Sequence, residues 1–136
     1  MPPKPAVPPG CPCGLPQSYA ECCGRFLEGE QVPVTAEELM RSRYVAYTLR
    51  REDYLLRTWH PSTRPGALNL EREGVRWLGL KVLDTAGGKA GDAEGPVGYV
   101  ARYRVGGFIA RRLTETSRFV RENGQWRYLD ALEEVT

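Results

Sequence analysis

The chain has 136 residues, 41% of them hydrophobic, and a formal net charge of +2 at pH 7. That length suits one domain with a core of its own, and so small a net charge singles out neither nucleic acid nor an anionic membrane as partner. No stretch approaches the about 18 apolar residues of a membrane span, and Met1–Gly10 lacks the apolar run of an export signal. The expected setting is the cytoplasm, where thiols stay reduced.

Residues 1–10 hold five prolines and read as an extended, flexible lead. Directly after them come Cys11-Pro12-Cys13-Gly14 and then Cys22-Cys23-Gly24, so all four cysteines fall within thirteen positions as C-x-C-x8-C-C. Two disulfides or four unrelated thiols are the plain alternatives. Cys-x-Cys and Cys-Cys rarely close on themselves, and Gly24–Thr136 contains no further cysteine. Four clustered thiolates suit a tetrahedral ion, with Zn2+ favoured. Four protein ligands leave no open position, so the expected role is structural, one Zn2+ per chain on Cys11, Cys13, Cys22 and Cys23. Gln17–Cys23 is expected to form a helical turn presenting the second pair, and Glu28–Pro33 a connector.

Thr35-Ala36-Glu37-Glu38 fits a capping box that opens a helix running to about Arg51. At 100° per residue, Met40, Arg43, Tyr44 and Tyr47 share one face, which places an arginine in an apolar stripe. Glu52–Trp59 reads as a second short helix, stopped by His60-Pro61 because the residue before proline avoids the helical region. Ser62–Leu70 is turn-like.

From Val75 the pattern turns to strands. Val75–Leu83 is apolar around Trp77, and Asp84–Pro96 reads as a mobile glycine-rich hairpin loop. Val97, Tyr99, Ala101, Tyr103 and Val105 alternate in period two, and so do Leu113, Glu115, Ser117 and Phe119 after a Gly106-Gly107 turn. Asn123-Gly124 is a strong hairpin turn signal before a last strand, Gln125–Leu132. Helices followed by a meander predict an α+β fold, a curved antiparallel sheet wrapped over N-terminal helices and preceded by a small zinc knuckle. The expected organisation is a lead at 1–10, a knuckle at 11–27 and an α+β domain at 34–134.

These phases aim Arg43, His60 and Glu115 at a cone-shaped interior with Tyr44, Tyr47, Trp59 and Trp77 as its walls. A buried carboxylate must be paired or protonated, so Arg43 and Glu115 are expected to pair across the interior. The architectural reading is an ion pair fixing helix to sheet; the functional one is a ligand-binding or acid/base group in a pocket. A lone histidine beside proline is more often a loop hydrogen-bonder than a catalyst.

The cysteine block, with Tyr19 between its halves, resembles the SEC-C zinc motif found at the tail of the preprotein translocase SecA and in small bacterial proteins. The basic residues that usually flank the motif are replaced here by Leu15-Pro16-Gln17-Ser18 and Ala20-Glu21. Leu39–Tyr47, Asp53–Pro61, Ser117-Arg118-Phe119, Trp126 and Leu129-Asp130 resemble the YchJ family, which joins SEC-C motifs to a domain of nuclear transport factor two-like fold. Family members tend to carry histidine where this chain has Thr114. The resemblance implies that cone-shaped fold and allows a homodimer through the sheet.

Two functional classes follow. One is a non-enzymatic module, binding zinc and either a protein partner or a small ligand. The other is a small-molecule enzyme of the hydrolase or isomerase kind, with Glu115, His60 and Arg43 as candidates. An arginine-tied carboxylate argues for the first, because acid/base work needs a group that exchanges its proton near working pH. A third reading, nucleic-acid binding by Arg102, Arg104, Arg111, Arg112, Arg118 and Arg121, is disfavoured because acids are interleaved with those arginines.

Overall fold

The computed structural model describes residues 10–68, 70, 75–85, 87–89, 91–107 and 109–133. The expected proline-rich lead, apart from Gly10, lies outside them. The elements run α1 (Gly24–Leu27), α2 (Ala36–Thr48), α3 (Glu52–Arg57), β1 (Val75–Thr85), β2 (Glu94–Val105), β3 (Arg111–Glu122) and β4 (Gln125–Glu133). The strands form one antiparallel sheet in the order β1-β2-β3-β4, and α2 lies against all four. This is the expected α+β arrangement of helices on one face of an open sheet.

The capping box forms. Thr35 Oγ1 accepts the Glu38 N–H at 3.1 Å, and Glu38 Oε1 reaches back to the Val34 N–H at 3.1 Å. The first bond satisfies an amide that the first helical turn leaves without a partner; the second takes the amide one residue before the N-cap, where a strict capping box takes that of Thr35. The helix stops at Thr48, with Arg50 at φ 57° making the turn into α3. The face of α2 carrying Leu39, Met40, Arg43, Tyr44 and Ala46 is buried. The chain does not turn helical at Gln17–Cys23 as expected: turns carry the second cysteine pair, and α1 begins at Gly24.

Curvature comes from register shifts. In β1 the register slips between Trp77 and Gly79 and again between Val82 and Asp84. A bulge flips side-chain parity. Trp77 therefore faces inward, Leu78 outward, and Leu80 and Val82 inward again, while Leu83 is exposed. On the far side, Asn123 and Gly124 both take positive φ, 52° and 81°, as a two-residue hairpin turn requires. The edge of β4 is not bare. Thr58–His60 runs beside it, with Tyr128 N–H donating to Thr58 O at 2.8 Å and His60 N–H to Tyr128 O at 2.7 Å.

The glycine-rich connection between β1 and β2 is anchored, not loose, although residues 86 and 90 lie outside the described set. Gly88 is buried, and its carbonyl accepts the Ala36 N–H at 2.9 Å at the start of α2. A Cβ on Gly95 would stand 2.3 Å from Gly88 Cα, so only glycine permits this approach. Gly91→Ala meets open space. Gly95→Ala should cost about 1–3 kcal/mol by overpacking, and Gly91→Ala should stay within about 0.5 kcal/mol of the parent. Urea midpoints of the two variants measured side by side check this.

Candidate metal centre and cavity

The knuckle is built by backbone turns. Cys11 N–H donates to Gln17 O at 2.9 Å, and Gly24 N–H to Tyr19 O at 2.7 Å. Gly14 has φ +98°, and a Cβ on Gly24 would lie 2.6 Å from Tyr19 O. The glycine after each cysteine pair is thus a geometric requirement of the turn. The result is a buried group of four thiols, with the Sγ atoms of Cys11, Cys13, Cys22 and Cys23 all within 4.8 Å of one another. Cys13 and Cys22 Sγ stand 3.6 Å apart, and none of the four is disulfide-bonded. Tetrahedral coordination with metal–sulfur bonds of about 2.3 Å needs sulfur–sulfur edges of about 3.8 Å, so the spacing fits a metal ion.

Burial and mutual hydrogen bonds drive these thiols apart in acidity. Hydrogen bonds from Cys13 and Cys23 pull the Cys11 thiol down to about 2. Burial, with the charge at Cys13 added, pushes Cys22 up to about 12. Cys23 is raised by its hydrogen bonds with Cys11 and Cys13 and by burial. A bound cation is what allows all four thiols to ionise together.

Arginines hold this unit to the helices. Arg41 Nη1 donates to Cys13 O at 2.9 Å, and its Nε pairs with Glu37 at 2.9 Å. Arg57 Nη2 donates to Phe26 O at 3.1 Å, Arg51 pairs with Glu28, and Arg25 with Glu38. Tyr19, Phe26, Leu27 and the four cysteines belong to the same continuous buried cluster as Leu39, Tyr54 and Leu55.

Between α2 and the sheet lies a cavity of about 220 Å³. Of the residues expected to line it, Arg43, Tyr44, Tyr47, Trp77 and Glu115 do so. Trp59 does not reach the lining; it stands behind Arg43, whose guanidinium carbon lies 5.0 Å from its ring centroid. His60 points away altogether. Its Nε2 is 2.9 Å from Glu122 Oε2, and its Nδ1 meets Ser62 Oγ at 2.7 Å and the Ser62 N–H at 3.1 Å. The orienting carboxylate absent from its sequence neighbourhood comes from β3. Sequence reasoning missed Tyr99, Phe119 and Tyr128 as walls, although the alternation of β2 and β3 had placed Tyr99 and Phe119 on the inner faces.

Arg43 and Glu115 face the same cavity, but the expected ion pair between them does not form. Arg43 Nη1 donates to Leu55 O at 2.8 Å and to Thr58 Oγ1 at 2.7 Å, at the end of α3. Its planar group lies against the rings of Trp59 and Tyr128, the latter at 4.4 Å. Glu115 Oε2 accepts the Tyr99 hydroxyl at 2.8 Å, from the residue directly opposite it on β2. Each partner is intercepted by a nearer group. Burial pushes the Arg43 guanidinium below its usual value, with the tyrosines around it acting in the opposite sense.

The comparisons with known proteins agree with this fold. The family profile of the YchJ middle NTF2-like domain matches residues 35–131. The chain belongs to the YchJ family. A UPF0225 protein of Chromobacterium violaceum is 54% identical over 125 residues, covering 90% of this chain and 91% of that protein. A UPF0225 protein of Streptomyces coelicolor is 52% identical over 122 residues, covering 90% and 94%. The solution structure of a SEC-C motif containing protein from Rhodopseudomonas palustris superposes with a TM-score of 0.81 at 30% identity, covering 93% of this chain and 99% of that one. A crystal structure of a SEC-C motif containing protein from Psychrobacter arcticus shares the fold, with a TM-score of 0.73 at 24% identity over 96% and 85% of the two chains. Among the described residues of this YchJ-family chain, no helix is long and apolar enough to cross a membrane.

The tyrosines of this interior set an alkaline limit. Burial raises Tyr54 and Tyr128 to about 12, while an unfolded phenol titrates near ~10. Above pH ~10 the unfolded chain therefore releases protons first. The contribution of these groups is complete below pH ~10 and is lost as pH rises towards about 12. Above pH about 10 these groups should make the urea midpoint fall. Tyr128→Phe should make that fall shallower.

Proposed function

We propose that this protein is a cytoplasmic zinc-binding protein whose cavity takes up a small ligand without turning it over. The observation that carries the reading is the division of labour around the cavity. Its wall combines aromatic rings with one cation and one carboxylate, while the lone histidine is committed to Glu122 on the outer side. Ligand sites are concave, mostly apolar and furnished with a few polar groups, and this cavity has that make-up. Acid/base turnover asks for a carboxylate or imidazole poised at the substrate. Glu115 is bonded to Tyr99 instead.

For the ion, the donor set supports zinc. Four thiolates at tetrahedral spacing suit Zn2+, a closed ligand set matches a structural site, and the metal supplies folding energy to the knuckle. Cys11, Cys13, Cys22 and Cys23 would hold it, and the Arg41 guanidinium beside Cys13 would offset part of the negative charge of a four-thiolate centre.

Reduced protein should carry about one zinc per chain, with a sulfur-only shell near 2.3 Å by X-ray absorption. Cys22→Ser should lower the stoichiometry, and chelation should lower Tm while leaving a cooperative transition, because the helices and sheet themselves bury Val45, Val97 and Phe119. Iron in place of zinc, or metal-free protein with an unchanged Tm, contradicts the assignment.

Ligand uptake is tested with a cavity block. Ala101 lines the cavity and is buried, so Ala101→Leu fills space without altering charge. Indole and phenol should shift the NMR signals of Trp77 and Tyr99 in the parent and leave them unshifted in Ala101→Leu. Probes that shift nothing in either protein, or both equally, overturn the cavity reading. Steady turnover lost in Glu115→Gln would place the protein among enzymes.

A further inference from the structure

We infer that the ligand of this cavity is a small planar carboxylate, its carboxylate held side-on by Arg43; this rests on the cavity being a binding site. The first argument is the incomplete satisfaction of a buried cation. Arg43 is 5% exposed. A guanidinium has five N–H donors in a fixed fork and stays charged in proteins. Two of the donor sites of Arg43, both served by Nη1, are used on Leu55 O and Thr58 Oγ1. Among the described residues, Nε and Nη2 make no hydrogen bond. Among the described residues, the sealed polar atoms left without partners are Tyr19 Oη and Arg127 Nε. Arg43 Nε and Nη2 are not among them, and Arg43 is itself one of the residues that line the cavity.

The second argument is charge. No carboxylate of the described residues pairs with Arg43, and the one on the cavity wall, Glu115, is engaged by Tyr99. A buried charge without a counter-ion is costly. An incoming anion would relieve that cost. The Nε/Nη2 edge, which bonds to none of the described residues, is the one that meets a carboxylate with two parallel hydrogen bonds. Trp59 and Tyr128 fix the guanidinium plane from the side, so the fork is held before any ligand arrives.

The third argument is shape. Tyr44, Tyr47, Trp77, Tyr99, Phe119 and Tyr128 supply flat walls, which suit a ring stacked among rings. The volume of about 220 Å³ is below the roughly 300–1,000 Å³ of pockets for drug-sized ligands. One ring with one carboxylate fits that space. A hydroxyl or amino group elsewhere on the ring would find Glu115 and Ser117, both on the lining, as acceptors.

Benzoate, benzamide and benzamidine test this, because they share one planar frame and differ in charge and in the donors and acceptors they present. With metal-loaded full-length protein, calorimetry and Trp77 NMR signals should show benzoate binding at least about tenfold tighter than benzamide, with benzamidine weakest. The Arg43 Nε–H resonance should shift with benzoate. Arg43→Lys keeps the charge but removes the fork, and should lose about tenfold for benzoate and distinctly less for benzamide, which offers a single acceptor oxygen. If that variant does not fold, the ligand series and the Arg43 Nε–H signal on the parent protein still decide. Benzamide or benzamidine binding as tightly as benzoate overturns the carboxylate assignment and leaves the ligand-binding reading standing. Failure of all three overturns the assignment as well, and indole and phenol with Ala101→Leu then judge the wider reading separately.

Discussion

The buried guanidinium of Arg43 is the joint on which the interior depends. It projects from the middle of α2, takes the Leu55 carbonyl and Thr58 hydroxyl at the end of α3, and lies against Trp59 and Tyr128. Those contacts tie three pieces of chain that are far apart in sequence. They hold Thr58–His60 against β4, where Trp59 bridges Tyr128 in parallel, and so cover a sheet edge that would otherwise offer unpaired backbone groups. The same side chain then forms part of the cavity wall. A cation in such a place is unfavourable unless hydrogen-bonded and shielded. Here backbone and hydroxyl oxygens and two aromatic faces do this where a carboxylate was the simplest expectation.

Arginine also joins the metal-ligand knuckle to the rest of the fold. Arg41, Arg51 and Arg57 reach from α2 and the α3 region to the backbone carbonyls of Cys13, Leu27 and Phe26. The knuckle has little apolar surface of its own beyond Tyr19, Phe26 and Leu27, and these join the cluster around Leu39, Tyr54 and Leu55. Local metal geometry and packing against the helices therefore support one another. The scarcity of lysine fits this use of arginine: a planar fork can bond carbonyl oxygens while lying on a ring, which an ammonium does less well.

What could be read from the sequence was what is decided locally. The capping box at Thr35, the two-residue turn at Asn123-Gly124, the alternation of β2 and β3 and the clustering of the cysteines each depend on residues a few positions apart, and each formed. The inward placement of Arg43 and Glu115 was legible for the same reason. Their pairing was not, because parity fixes which face a side chain takes and not which neighbour reaches it first. Tyr99 stands opposite Glu115 only through the β2–β3 register, and Leu55 O meets Arg43 only once α3 has packed. His60 shows the same limit, since its partner Glu122 lies on another element. In β1 the run Val75–Leu83 has apolar residues in both phases, so the bulge at Leu78–Gly79, and with it the choice of Trp77, Leu80 and Val82 as inward residues, was hidden.

At the centre of the interior, Arg43 is a buried cation bonded to the end of α3 and standing on the cavity wall. A crystal structure at near-atomic resolution, from protein purified without added ligand, tests this arrangement most directly. The account predicts Arg43 Nη1 within hydrogen-bond distance of Leu55 O and Thr58 Oγ1, Glu115 on Tyr99, and water or anion density against Arg43 Nε and Nη2. A Glu115 carboxylate swung across the cavity into a salt bridge with Arg43 would contradict it.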